Sequence, residues 1–462
     1  MSSHIEASEQ VEENEPETIE KCVKNPEADE SCSKSDDSQI TSTKDAPKDD
    51  KDDLNKSPNC RKRKHSDDSE GSNKVVKLNE GQIGHNVNVP SDLSIGSSRE
   101  ERTTTEDEKS SEHSNVVAEH YNSLEEKGLS QRNQSRIVYM RNFNNWIKSM
   151  IINEFMQKII QDKRVGDPIK VLDMCCGKGG DLLKWKKANI THLIAADIAS
   201  ISVEQCQSRY NDLTSNRSRD SGFAPVFRAE FITADCTKVR LREKFKDPSM
   251  ELDLTSVQFA LHYSFESLPQ AECMIKNASE SLRPGGFFIG TIPDAYELVS
   301  RWQKSEGNKF GNEVFSVEFQ SDEKEKPPLF GARYNFHLEG VVNCPEFLVH
   351  LPTLIKLGEK FGLELVLYER FEEFFERMKN EGKSLLGKMQ ALETYPPYHE
   401  APLLGQQTVD YQHANNYMQD SVGHRKIGTL SQSEWDAISL YAVFAFKKKR
   451  TTWTADAKPE YT

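Results

Sequence analysis

From Val116 onward, apolar residues begin to recur in patterns that a folded chain can use, and Val116, Val117, Tyr121 and Leu124 mark the onset. Between Ser135 and Gln161, Phe143, Trp146, Ile147, Met150, Ile151, Phe155 and Ile159 recur at helical spacing. That spacing predicts a long amphipathic helix with one buried face. Asn144 and Lys148, four residues apart, share its polar flank, with Asn145 beside them. A short apolar run, Ile169 to Met174, then predicts a buried strand. It ends in a glycine-rich turn, Asp173 to Asp181, and Leu182, Leu183 and Trp185 open a helix. A second apolar strand, His192 to Ala196, stops at Asp197.

Strand, glycine turn, helix, strand and acid is the order of a βαβ unit that binds a nucleoside. The turn lets a ligand approach the backbone, and the acid, about twenty residues on, can hold ribose hydroxyls. The same alternation continues. Ser202 to Tyr210 reads as a helix carrying Arg209, and Glu230 to Asp235 as a third strand ending in an acid that can reach an adenine amino group. Leu252 to Leu261 reads as a strand running into Gln258 and on to His262 and Tyr263, on the edge of an open sheet where ligands sit. Ser264 to Leu282 is predicted helical, Arg283 to Gly286 a turn, and Phe287 to Ile292 the fifth strand. Between Asn308 and Asn343 the alternation breaks into short aromatic runs, read as a β-rich insertion over the pocket mouth. Glu346 to Phe361 and Phe371 to Ala391 are predicted helical, and Leu363 to Tyr368 and Leu440 to Phe446 strands. Lys447 to Arg450 read as a basic exit from an edge strand.

Composition adds a boundary. The chain has 462 residues and a net charge of −14. Residues 1–110 hold 16 Lys+Arg against 27 Asp+Glu, which is −11 of that total. Tyr121 is the first aromatic residue. A segment so polar cannot bury enough apolar surface to offset chain entropy, so residues 1–115 are expected to form a disordered acidic tail and 116–462 the folded domain. Within the tail, Arg61, Lys62, Arg63 and Lys64 form a basic tetrad, expected to be a nuclear-import signal. The nine Cys include no C-x-x-C pair, so zinc and a disulfide framework are poorly supported and no metal is expected. No signal peptide and no apolar run of transmembrane length are visible, and no membrane association is expected.

The turn, spaced Asp173-x-Cys175-x-Gly177-x-Gly179, resembles the S-adenosylmethionine fingerprint of Rossmann-like methyltransferases. Tyr139 to Lys148, the turn with Lys178 and Asp181, His262 to Glu266, Phe330-Gly331 and Val342 to Phe347 together resemble the eukaryotic, vertebrate-like mRNA cap guanine-N7 methyltransferases over about residues 116–450. The resemblance implies an α/β fold: a Rossmann-like S-adenosylmethionine-dependent methyltransferase sheet with a β-rich insertion, preceded by the disordered tail. It implies methyl transfer from S-adenosylmethionine to N7 of the terminal guanosine of the GpppN cap of nascent mRNA, completing cap 0, in the nucleus. By the same resemblance Lys148, Cys175, Gly177, Asp197, Asp235, Gln258 and Tyr263 contact the cofactor. Asn144, Asn145, Lys178, Lys184, Arg209, His262, Glu346 and Tyr441 contact the cap. Implied partners are capped mRNA, an activating mini-protein subunit, transcribing RNA polymerase II and importin.

No acid–base catalyst is expected, because guanine N7 carries a free lone pair and the reaction chiefly needs in-line positioning. Glu346, His262 and Tyr263 are the nearest candidates for a catalytic role, and Lys178, Lys184 and Arg209 are expected to share one anion. One departure stands out: the family's first turn glycine is Cys175 here, which puts a side chain where the backbone should meet the methionine end of the cofactor. The rival readings are a related enzyme acting on a small molecule or protein, and a methyltransferase-like module that holds RNA or a partner with weak or no activity.

Overall fold

The structure is a computed structural model that describes residues 104–123, 133–215, 226–406, 408–420 and 425–449, with short pieces at 452–453 and 459–460. The Arg61–Lys64 tetrad lies outside the described residues. The chain runs through helices α1 (Thr104–Ser123) and α2 (Val138–Asp162), then β1 (Lys170–Met174), α3 (Leu182–Lys187), β2 (His192–Asp197), α4 (Ser200–Ser215), β3 (Arg228–Thr233) and β4 (Leu252–Gln258). A 3-10 turn, Leu261–Glu266, leads to α5 (Leu268–Ser279), β5 (Leu282–Pro293) and α6 (Ala295–Lys304). Strands β6 (Lys309–Gly311), β7 (Phe315–Phe319), β8 (Arg333–Leu338) and β9 (Val342–Phe347) follow. Then come α7 (Leu351–Lys360), β10 (Leu363–Arg370), α8 (Phe371–Met378), α9 (Lys383–Met389) and β11 (Glu393–Tyr395). The series closes with α10 (Gln412–Asp420), β12 (Ile427–Thr429), α11 (Gln432–Ile438) and β13 (Tyr441–Lys448).

Seven strands form the main sheet in the order β10-β13-β5-β4-β1-β2-β3. Strands β3, β2, β1, β4 and β5 are parallel, and β13 lies antiparallel to both β5 and β10. The strand order reverses beside β1, between its neighbours β2 and β4, and a crevice therefore opens at the carboxyl ends of β1 and β4. Alternate residues of each strand feed the two faces. Val171 of β1 and Val443 of β13 join the core on the α2 side, while Leu172, Met174, Phe444 and Phe446 join the core under α5 and α7.

The helical period predicted for α2 is realised: Phe143, Trp146, Ile147, Ile151, Phe155 and Ile159 are fully buried. Each such side chain contributes roughly 1.5–3 kcal/mol of burial free energy. Trp146 also donates to the carbonyl of Gly382 (3.1 Å). A Cβ at Gly382 would meet the Trp146 ring at 2.5 Å, so the chain must be bare there. This is also where the helix predicted over Phe371 to Ala391 is broken into α8 and α9.

Several boundaries differ from expectation, each for a local reason. The first described element, α1, starts at Thr104. Glu346 lies on a strand and not at the start of a helix. Val342 to Phe347 pair with β8 as the outer strand of a four-stranded meander β6-β7-β8-β9, where Pro345 is tolerated at an edge. Helix α7 starts only at Leu351, with Pro352 in its first turn. The helix expected from Ser264 begins at Leu268, because Ser267 caps it by accepting from Gln270 N–H. The basic run after Phe446 is not an exit from an edge strand. Strand β13 is internal to the sheet, and Lys448 is buried, donating to Ser279 Oγ (2.6 Å) and the Phe361 carbonyl (2.9 Å). Burial pushes its ammonium down to about 7.

Candidate active site

The glycine turn after β1 is built by its backbone. Cys176 N–H donates to the Ala196 carbonyl (3.0 Å), and Gly177 and Gly179 take positive φ angles of 50° and 75°. A Cβ on Gly179 would sit 2.8 Å from Cys206 Sγ and from Leu182, so α4 and the turn pack only around a glycine. Cys175 also has a positive φ, 57°, in the left-handed region that favours glycine. Its thiol faces Cys236, and contact with that thiol, together with burial, pushes its pKa well up.

Asp197 ends β2 at the crevice. Its Oδ2 accepts from Gly177 N–H (2.8 Å) and its Oδ1 from Ala199 N–H (2.9 Å). Burial raises its pKa and those backbone donors oppose the rise. Asp235, just past β3, is oriented by the Thr237 N–H (2.9 Å) and hydroxyl (2.6 Å). Gln258 ends β4 with its Nε2 on Ser256 Oγ (3.0 Å) and a buried Oε1 that has no protein partner. These residues line one cavity with Lys148, Cys175, Gly177 and Tyr263. All seven residues expected at a cofactor therefore come together.

The far wall of that cavity is α1. His113, Ser114, Val117 and Tyr121 line it, and Tyr121 and Tyr263 share a hydrogen bond (3.0 Å) between their hydroxyls. Burial, with repulsion from Arg333 and Lys238, pushes the His113 imidazole down to about 4. Both of its ring nitrogens are buried without a protein partner. His113 and Ser114 were missed, since they fall inside the segment read as a disordered tail. The available signal was the four-residue step His113, Val117, Tyr121 on one helix face.

A second cavity shares Tyr121, Lys148, Phe259 and Tyr263 with the first. Asn144, Asn145, His262, Glu346 and Tyr441 line it, with apolar walls from Phe336, Leu338 and Ile438. Glu346 reaches it from β9. Its Oε2 accepts from the Tyr334 hydroxyl (2.9 Å), and its Oε1 lies 3.3 Å from His262 Nε2, an ion-pair distance without hydrogen-bond alignment. Both His262 nitrogens and Asn144 Oδ1 are buried with no hydrogen-bond partner. The slot has apolar walls and buried polar atoms left without protein partners. A planar base with N–H donors on one edge matches it.

Asp181 lies at the junction, between Lys148 (2.9 Å) and Lys184 (2.7 Å). Burial alone would raise its pKa, but the two ammonium groups outweigh it and hold the carboxyl below the usual range, while burial and Asp181 push the neighbouring Asp173 up. Lys184 also reaches Asn145 Oδ1 (3.3 Å). Each of the three cations expected on one anion has a protein partner in the structure. Arg209 donates to the Lys178 carbonyl (2.9 Å) on the α4 side, while Lys184 closes on Asp181 and Asn145. Among the described residues no group of His, Cys, Asp and Glu could hold a metal ion, and no helix is long and apolar enough to cross a membrane.

Comparison with known proteins agrees with this geometry. The model of the mRNA (guanine-N(7))-methyltransferase domain matches residues 104–449, starting where α1 starts. An mRNA cap guanine-N(7) methyltransferase of Drosophila melanogaster is 53% identical over 77% of this chain and 82% of its own length. One of Caenorhabditis elegans is 41% identical over 73% and 88%, and one of Oryza sativa 36% identical over 72% and 81%. The chain belongs to the mRNA (guanine-N7)-methyltransferase family.

Proposed function

We propose that the first cavity holds S-adenosylmethionine and the second holds the terminal guanosine of capped mRNA, so that the chain methylates guanine N7. The observation that carries the reading is the pair of adjoining cavities, one floored by a glycine turn and a ribose-type acid, the other edged by Glu346 and Asn144. The donor set fits the cofactor. Asp197 keeps oxygen lone pairs free for two ribose hydroxyls, Gln258 Oε1 lacks a partner, and Asp235 can accept from an adenine amino group. When bound, the cofactor supplies a methyl group already activated on a sulfonium.

The rest is positioning. Guanine presents N–H donors at its N1 and N2, which Glu346 and Asn144 Oδ1 can accept, whereas adenine N1 would bring an acceptor against a carboxylate. Tyr441 and Phe336, in edge-to-face contact with ring centroids 6.3 Å apart, form part of the wall of the slot. Tyr263 and Tyr121, in both linings, set how far N7 stands from the other cavity. No base is required, since N7 carries a lone pair at neutral pH. Attack leaves the ring cationic, and the fixed, buried carboxylate of Glu346 stabilises that charge as it develops. The protein is acidic overall, and the cap phosphates fall to local cations, among them Lys184, Lys178 and Arg209.

The testing experiment is transfer from labelled S-adenosylmethionine to GpppG-ended RNA, with ApppG-ended RNA as control. Label at N7 of the capping guanosine only in the first supports the reading; equal labelling of both, or of neither, overturns it. Nuclear action belongs to the same proposal: the Arg61–Lys64 tetrad engages importin, and an activating mini-protein and the transcribing polymerase accompany the enzyme. The support is the family together with the basic tetrad. Replacing the tetrad with alanines should leave the protein in the cytoplasm, and retention in the nucleus would count against the signal.

A further inference from the structure

A third cavity, about 640 Å³, opens between α2, α3 and α9. It is within the range of ligand-binding clefts. It continues the other two: Asn145 lines both it and the guanosine slot, and Gly180 lines both it and the cofactor cavity. Lys184 stands at the junction, 3.3 Å from Asn145 Oδ1, and lines the cleft but not the slot.

The lining is unlike the rest of this acidic protein. Lys184, Lys187 and Lys388 face Glu381 as its single acidic residue. Lys187 and Lys388 are exposed, and neither makes an ion pair or hydrogen bond among the described residues. Between the cations stand the amides of Asn153 and Gln157. Two large apolar side chains are also left open to solvent there, Leu183 at 57% and Ile160 at 42% exposure. Cations for a backbone, amides for base edges and apolar surface for base faces are the elements of single-stranded RNA binding.

We propose that this cleft receives the first transcribed nucleotides of the mRNA, which leave the guanosine slot past Asn145 and Lys184 and run between α3 and α9. The proposal rests on the cap reading above and names where its substrate goes next. It makes the enzyme sensitive to RNA length beyond the cap.

The test compares the GpppA dinucleotide with capped RNAs of increasing length, in the full chain and in a Lys187→Glu/Lys388→Glu variant. Both substituted residues are exposed and absent from the lining of the guanosine slot and the cofactor cavity. The wild type should show a falling KM as RNA is added. The variant should lose that gain, with KM for capped RNA up roughly tenfold and the salt slope reduced by about 1.4, since each single-strand phosphate contact contributes about 0.7. S-Adenosylmethionine affinity and the kinetics on GpppA should be unchanged. A 4-thiouridine at the second transcribed position should crosslink to peptides from α2, α3 or α9. An equal KM change on dinucleotide and RNA, no change on either, or crosslinks confined to another face would overturn the proposal. A crosslink lost to an added acidic peptide but not to uncapped RNA would also overturn it, since the cleft would then be a protein-docking surface. Absence of transfer to GpppA in the wild type would instead sink the cap reading itself.

Discussion

Two buried carboxylates line the two adjoining cavities, Asp197 the one proposed for the cofactor and Glu346 the one proposed for the guanosine, and they are held by different means. Asp197 is gripped by the backbone N–H groups of Gly177 and Ala199, all within one βαβ unit. Glu346 is held by a side chain, the Tyr334 hydroxyl on β8, with the His262 ring after β4 lying 3.3 Å away without hydrogen-bond alignment. Backbone donors cannot be mutated away, and they fix the acid wherever the βαβ unit folds. Side-chain partners must be brought from an inserted sheet against the main one. The cofactor site is therefore a local property of the chain and the acceptor site a tertiary one.

The largest effect expected on this contrast comes from Asp197→Ala. It removes the proposed acceptor of two ribose hydroxyls and also leaves two backbone N–H groups without their partner. Charge-assisted hydrogen bonds are each worth about 1.5–3 kcal/mol, so cofactor affinity should fall by at least about a hundredfold. Titration calorimetry on the folded variant measures it, and unchanged affinity would mean that Asp197 serves only the turn.

Glu346→Gln should come next and act differently. The amide keeps the shape and still accepts from Tyr334, but it no longer offsets the charge that develops on the ring. Turnover should drop by about tenfold to a hundredfold with less change in KM and none in cofactor affinity. A change in KM alone would place Glu346 in recognition only.

How much of this was legible follows the same division. The βαβ unit, Asp197, Asp235 and the polar flank of α2 could be read from periodicity and spacing, because short-range geometry determines them. Glu346 and Tyr441 were reached through family resemblance and not from pattern. Even then Glu346 was assigned to a helix, since Val342 to Phe347 shows no strand signal strong enough to outweigh its Pro345. His113 was hidden by composition: a helix can be too polar to announce itself and still bury one turn against a pocket. Helical spacing does not reveal that Lys184 turns back to Asp181.

A smaller effect should come from Tyr334→Phe. It deletes the one hydrogen bond to Glu346 Oε2 while keeping the buried ring. If side-chain support orients the carboxylate, turnover should fall severalfold, by less than in Glu346→Gln, with cofactor affinity intact. Loss of cofactor affinity would show that the two sites are not independent.

Proton linkage separates the two acids further. Burial raises the pKa of Asp197 above its ordinary value in the folded state, against the pull of its backbone donors. The fold therefore holds this proton more tightly than the unfolded chain does. The associated stability is complete below the unfolded pKa and is lost as pH rises through the folded value. Cofactor binding runs the other way, since it needs the ionised acid, and should weaken as pH falls through that raised value. In Asp197→Asn both dependences should flatten. A binding profile that keeps its acid limb would assign the limb to another group.

The mildest substitution tests how rigid the backbone-built site is. Cys175 sits at φ 57°, where a β-carbon costs roughly 1–2 kcal/mol, and its thiol lines the cofactor cavity against Cys236. In Cys175→Gly the strain disappears and space opens, while the greater freedom of glycine in the unfolded chain costs about 0.5–1 kcal/mol. Lost thiol packing offsets more of the gain. Stability should thus shift by less than about 1 kcal/mol, while S-adenosylmethionine affinity should rise modestly, because the turn keeps its shape and only the obstruction is gone. If affinity stays constant, the cavity already accommodates the thiol. If it falls, the side chain is a cofactor contact in its own right, and the cofactor site depends on a side chain as the guanosine slot does.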